Sequence, residues 1–309
     1  MARFTIIPDD TKFDFVRNRF IAFGFDGLLV VVTILSLWFQ GLNLGIDFTG
    51  GVVIEAKSEK AINFDDVRHR IEALGFSDPT VQQFGDEKSI LIRIKPTKAA
   101  SGTEQEAAKK IKDAMGSGYT FNRTEVVGPK VSSELLSSGI LATVLGVLMI
   151  GIYVAFRFEW QFGLSAMIAT GHDVFVAVGL YSVLQFDFNL TSVAALLLLA
   201  GYSVNDTVVV FDRIRENRRK YKKMVFGDMI NLSTNQMLSR TFLTSFTTAL
   251  SVIPLLIFGG DALFGFAATI LWGIVIGTYS SVFVASCLLL YLPTIQLGQP
   301  KVEQPGVQV

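Results

Sequence analysis

An acid, Asp206, stands inside an apolar run, 192–211, that ends in the basic cluster Arg213, Arg215, Arg218, Arg219, Lys220, Lys222 and Lys223. Placing a carboxylate at the centre of a bilayer costs about 3 kcal/mol or more, so an intramembrane acid points by default to an ion or proton pathway. The alternative is an acid satisfied by a neighbouring Ser or Asn, or held near a hydrated helix end. Other polar groups lie in similar surroundings. Tyr202 comes one helical turn before Asp206, Asn205 adjoins it, and His172 and Asp173 fall near the middle of another apolar stretch. Arg240, Thr244, Thr247, Thr248 and Ser251 recur at offsets that align them along one face of a helix. Hydrogen bonds between helices from Ser and Thr are a common packing device worth roughly 1 kcal/mol, so hydroxyls alone define no path. Two acids, a histidine and an arginine are harder to assign to packing.

The elements that position these groups follow from charge segregation. Half of the 309 residues are apolar, and 27 basic residues balance 27 acidic ones, yet the charges crowd between long uncharged windows. A membrane core needs about 20 helical residues. Six windows qualify, at 20–40, 139–157, 162–184, 190–212, 241–259 and 264–292. Arg17 and Arg19 precede the first, and no small-residue cleavage site follows it, which predicts an uncleaved anchor. The 213–240 stretch reads as a basic loop with seven Lys or Arg in its first eleven positions. The positive-inside rule places it in the cytoplasm, together with both termini, 1–19 and 293–309, and puts 41–138 outside. Nucleic-acid binding is not expected, because membrane topology already accounts for the basic run. At 1.5 Å per residue, Asp206 lies roughly 10 Å above the basic boundary. Arg240, at the base of the fifth helix, either reaches along the stripe toward Asp206 or snorkels as a flanking charge.

The outer segment has the pattern of a small α/β domain. Strands are predicted at 52–56, 80–84, 90–94 and 119–127, with amphipathic helices at 64–74 and 103–115 and a turn at 85–88. The order βαββαβ is the split, ferredoxin-like arrangement. The whole is a polytopic α-helical membrane protein with six transmembrane helices and this domain inserted after the first.

Gly45, Asp47, Gly50 and Gly51 mark the exit from the first membrane helix. A phosphate loop would lead into a helix, whereas here a strand follows, so a tight turn with Asp47 as its pin is the favoured reading. The single cysteine, Cys287, permits no intrachain disulfide, and the two histidines lie far apart, so no metal site is expected. Nor does any nucleophile–base spacing suggest bond chemistry; the chain reads as a transport protein rather than an enzyme. Gly273 with Gly277, and Gly139 with Gly146, offer small faces for close helix contact, within the chain or against another subunit.

The run 201–217, GYSVNDTVVVFDRIREN, resembles the fourth-helix signature of the SecF family of bacterial protein-export subunits. The Gly45 to Gly51 element, the His172–Asp173 pair, the Arg240–Thr241 start of the fifth helix and the six-helix order match as well. The resemblance implies a protein of the bacterial inner membrane, similar to one half of a resistance-nodulation-division transporter, that forms a heterodimer with SecD. It further implies work beside the SecYEG channel, with YajC and YidC as additional partners, on a translocating polypeptide among membrane lipids. The expected role is proton-motive-force-driven assistance of late export, with protons as the coupling ion and no cofactor. Asp206 and Arg240 would carry the proton pathway, with His172, Asp173, Tyr202, Asn205, Thr244 and Thr247 in support. Two other readings stay open: a scaffold subunit without proton coupling, and an exporter of small hydrophobic molecules.

Overall fold

The computed structural model describes residues 11–76, 79–84, 86–95 and 104–292, without the side chains of 261 and 262. The expected segment before residue 11, the tail after 292 and Gly85 of the expected turn lie outside them.

Six helices are long and apolar enough to cross a membrane. They are α1 (Phe15–Phe39), α5 (Pro129–Arg157), α6 (Trp160–Leu184), α7 (Leu190–Lys220), α8 (Phe226–Phe258) and a last span, Leu263–Tyr291, that contains most of α9 (Gly260–Ser280). Half or more of the apolar window is buried in α6, α7 and the last span, against 22% in α1, 17% in α5 and 11% in α8. Asp173 of α6, Ser203, Asp206 and Thr207 of α7 and Ser280 of α9 are buried in the bundle interior, and α8 leans on it from one side.

Several helices outrun their apolar windows. The stretch expected as a loop, 213–240, is mostly helix: only 221–225 separate α7 from α8. Apolarity marks the hydrocarbon layer, not the helix end. Beyond it the two helices stay paired through polar groups, with Asn217 Nδ2 donating to Ser233 Oγ and Gln236 Oε1, both at 2.9 Å. Likewise α5 starts ten residues before its predicted span, at Pro129, a residue suited to a first helical position. The last span is interrupted by a π-helical turn, Ser281–Ala285, which no hydropathy window can reveal.

Between α1 and α5 lie a helical turn α2 (Ile46–Thr49), strands β1 (Gly51–Ser58), β2 (Thr80–Phe84), β3 (Asp86–Ile94) and β4 (Tyr119–Val127), and helices α3 (Phe64–Glu72) and α4 (Glu104–Met115). The sheet order is β2-β3-β1-β4 with every pairing antiparallel, as the βαββαβ order requires. Residues 86–88, expected in a turn, belong to β3, because the β2–β3 hairpin is tighter than the polar run suggested. Ile54, Ile90 and Ile92 of the sheet meet Ile71 of α3 and Ile111 of α4 in one buried core. On the other face Val53 and Leu91 pack on Ile46.

Candidate functional site

Helix α7 begins at a fixed point. Asn189 accepts from Ser192 N, while the Ser192 hydroxyl accepts from Asn189 N, closing a capping box. The domain is fastened to the same place. Asp47 Oδ2 accepts from Leu190 N at 2.9 Å, and Gly45 N donates to Phe188 O at 2.8 Å. Arg93 of β3 pairs with Asp187 at 2.5 Å. Asp47 thus ties its turn to the start of α7 by placing a carboxylate at that helix N-terminus, where the backbone dipole favours it. Gly51 adopts φ +119°, and a Cβ there would stand 2.1 Å from Ile94 O, so this glycine serves close strand approach, while Gly50 at φ +74° ends the α2 turn.

Asp206 lies 16 residues further along α7 and is 3% exposed. Its neighbours are hydroxyls. Ser245 Oγ is 3.3 Å from Oδ2, and Thr244 Oγ1 is 3.5 Å from Oδ1. Thr244 is closer to Thr241 O, at 2.9 Å, and spends its one hydrogen there. Ser245 also stands 2.6 Å from Thr278 Oγ1, which is in turn 2.6 Å from Ile274 O, and it accepts from Tyr202 at 3.3 Å.

Hydrogen counting makes this chain reversible, because each hydroxyl has one hydrogen and two acceptor positions. With Asp206 ionised, Thr278 donates to Ser245 and Ser245 to the carboxylate. With Asp206 protonated, the acid donates to Ser245, Ser245 to Thr278, and Thr278 to Ile274 O. The Ser245–Thr278 chain keeps the same oxygen positions in both protonation states, while Oδ1 has only the 3.5 Å contact to Thr244.

A second polar set adjoins the first. Asp173 Oδ2 accepts from Ser203 Oγ at 2.5 Å and Ser280 Oγ at 2.6 Å, and His172 Nδ1 lies 3.1 Å from Oδ1. Ser203 is one turn before Asp206, and Thr207, one residue after the acid, bonds Ser281 at 2.8 Å. These contacts bring His172, Asp173, Tyr202, Thr244 and Asp206 into one neighbourhood.

Other expected residues are placed elsewhere. Arg240 is exposed and makes no ion pair with Asp206 within 4.0 Å, so of the two orientations open to it the inward pairing is absent here. Asn205, the residue before Asp206 on α7, is exposed. Thr247 donates to Leu243 O and Thr244 O of its own helix. The small faces pack inside the chain: added Cβ atoms at Gly273 and Gly277 would meet Leu199 and Ser203 of α7.

Sequence reading passed over Ser203, Ser245, Thr278, Ser280 and Ser281, which no charge singles out. It also passed over Asp26, an acid inside the first apolar window that the rule applied to Asp206 would have found. Asp26 is 7% exposed and faces His172. Outside the membrane segments, Arg218 holds the Glu159 carboxyl below its ordinary range.

Among the described residues, six apolar helices, an interior row of acids and hydroxyls, and a split βαβ domain fixed to one end define a multi-pass membrane protein. Residues 107–294 match the family described as protein export membrane protein SecD/SecF, C-terminal, and residues 35–62 match the SecD/SecF GG motif. The protein translocase subunit SecF of Vibrio alginolyticus is 42% identical over 309 residues, covering 99% of this chain and 98% of its own. That of Escherichia coli O157:H7 is 40% identical over 299 residues, covering 95% and 93%. The crystal structure of SecDF, a translocon-associated membrane protein from Thermus thermophilus, superposes with a TM-score of 0.82 at 34% identity, over 93% of this chain. This chain spans 39% of that SecDF chain. The chain belongs to the SecD/SecF family of protein-export membrane proteins, and within it to the SecF branch.

Proposed function

We propose that this chain is an accessory subunit of the Sec protein translocase that converts the proton-motive force into motion of its extramembrane domain during late polypeptide export. Its relatives are named as translocase subunits, and the matching SecDF structure joins a SecF-like part to a longer chain, which supports SecD as the heterodimer partner. SecYEG, YajC and YidC, the translocating polypeptide and membrane lipids complete the proposed surroundings in the bacterial inner membrane. The basic end of α7 and Lys222 and Lys223 after it lie opposite the domain, which supports a cytoplasmic position for both termini and a periplasmic one for the domain.

The observation that carries the proton reading is the buried Asp206 on a hydroxyl chain that serves both of its protonation states. A proton from the periplasmic side loads Asp206 and reverses the Ser245–Thr278 polarity. Release to the cytoplasm resets it. Arg240, parted from Asp206 in this structure, is the counter-charge that α8 brings in when the acid is ionised. One charge crossing 100 mV yields about 2.3 kcal/mol, enough to bias a two-state contact but not to unfold a stable substrate domain.

The test is export of a secretory protein into inner-membrane vesicles with and without a proton gradient, comparing wild type with Asp206→Asn at equal amounts of assembled complex. The variant should assemble and lose the gradient-dependent part of export. Full gradient dependence in the variant would favour a scaffold whose polar residues serve packing alone.

A further inference from the structure

We propose that Asp26, His172 and Asp173 form a second proton-binding site, separate from Asp206, in which a proton on His172 bridges carboxylates of α1 and α6. The site deepens the proton-coupling reading and rests on it for its use in export, though not for its existence.

Asp26 is an acid within the first apolar helix, turned inward rather than to lipid. Both of its carboxylate oxygens are buried with no protein hydrogen-bond partner. Its nearest charged neighbour is His172, whose Nε2 is 3.7 Å from Asp26 Oδ1 while Nδ1 is 3.1 Å from Asp173 Oδ1. The imidazole therefore stands between two acids from different helices. Among the described residues no lysine or arginine comes within 4.0 Å of either acid. From α9, Tyr279 approaches, donating its hydroxyl to Ala22 O at 3.1 Å, and Ser280 bonds Asp173; from α7, Ser203 does the same. None of these brings a positive charge.

The helices that carry the two acids are in close contact. A Cβ on Gly179 of α6 would stand 2.1 Å from Thr33 Oγ1 of α1, and Ser36 Oγ meets Ser182 Oγ at 2.8 Å, so the two helices are pressed together on the domain side of Asp26. Two buried carboxylates without a cation are strongly disfavoured. At an effective dielectric constant of about 20, one unit charge 4 Å from another contributes about 4 kcal/mol, so one proton on the imidazole relieves both acids at once. With that proton, Nδ1 donates to Asp173 while the protonated Nε2, 3.7 Å from Asp26 and without a hydrogen-bond partner, offsets its charge at contact range, and the net charge falls from two negative to one.

Position gives the site its interest. Helix α1 leads directly into the Asp47 turn and β1, a central strand of the sheet. Asp173 reaches Ser203, one turn from Asp206. Occupancy of the site governs how α1, which bears the domain, is held to the helix beside the Asp206 site.

The experiment is nitrogen-15 NMR of histidine-labelled full chain in lipid bilayers. The chain has two histidines, and His69→Gln leaves His172 alone. At pH 7 His172 should show both ring nitrogens protonated. Asp26→Asn should lower the imidazolium-to-imidazole ratio about tenfold or more, Asp26→Glu should restore it, and Asp206→Asn should leave it unchanged. A neutral His172 at pH 7 with Asp26 present would overturn the proposal, and this spectrum decides even if Asp26→Asn does not fold. A ratio unaffected by Asp26→Asn, or one abolished by Asp206→Asn, would overturn it equally. The readout does not involve export, so it stands or falls separately from the role given to Asp206.

Discussion

Gly51→Ala tests whether this glycine exists for strand approach rather than for ligand binding. At φ +119°, an L side chain is strained whatever space surrounds it, and such backbone conformations cost roughly 1–3 kcal/mol. The added Cβ would also stand 2.1 Å from Ile94 O and 3.2 Å from Ile94 C, and these are backbone atoms of β3 that cannot rotate away. Forced repacking of this kind costs about 1–3 kcal/mol more. The sum, roughly 2–6 kcal/mol, lowers the population of the closed β1–β3 ladder about 30-fold or more, at a factor of ten per 1.4 kcal/mol. Hydrogen exchange of the full chain in detergent reads this directly. Amides of 52–57 and 89–94, which pair across that ladder, should lose protection by at least that factor, while α6 and α7 keep theirs. Unchanged protection in β1 and β3 would refute the steric argument and return the glycine to a binding role.

Two further outcomes follow from packing and from charge. Gly273→Ala should lower thermal stability by about 1–3 kcal/mol, because its Cβ would stand 2.2 Å from Leu199 Cδ1 and 2.4 Å from Cγ; Gly24→Ala, with nothing within 4 Å, should be neutral or slightly stabilising in the same melt. Glu159→Gln should remove part of the acid sensitivity of stability. Arg218 depresses the folded-state carboxyl below its ordinary 4.5, so its stabilisation is present above that value and is lost as pH falls through the lower, folded one. Both side chains are a third or more exposed, so the effect should stay within about 1 kcal/mol, and a melt series from pH 7 to pH 3 that treats both proteins alike would dismiss the pair.

Much of this architecture was legible because burial in lipid leaves a coarse signal. Six uncharged windows, a cluster of basic residues and a period-two pattern around Val52, Ile54 and Ala56 are each forced by solvation. What was illegible depends on contacts rather than on transfer. Asn217 and Gln236 extend α7 and α8 past the hydrocarbon by bonding one another across helices, and no single window contains both. Asp206 stood out by charge, yet the groups that satisfy it, Ser245 and Thr278, are small hydroxyls indistinguishable in sequence from Thr247 and Thr248, which bond only their own helix. The same holds for Arg240: its register on the stripe was readable, its lack of an ion pair with Asp206 was not. Asp26 was readable too: Thr33 and Ser36 recur seven and ten residues on, and the three form one buried polar face of α1.

The division of burial among the helices decides where a proton at Asp206 can act. Helix α9 packs closely on α7 at Gly273 and Gly277, whose missing side chains leave room for Leu199 and Ser203. Helix α8 is different: little of its apolar window is buried, and beside Asp206 it joins the pair through Ser245, held by Asp206, Tyr202 and Thr278. A hydrogen bond to a charged group contributes about 1.5–3 kcal/mol, and reversing the polarity of the Ser245–Thr278 chain exchanges one such bond for a neutral one. That difference is of the same order as the roughly 2.3 kcal/mol that one charge gains across 100 mV. A contact much stronger would stay closed at every membrane potential, and one much weaker would transmit nothing. On the proposed reading the α7–α8 seam is therefore the moving joint, and α7, pinned through Leu190 to Asp47, carries its displacement over about 24 Å of helix to the domain.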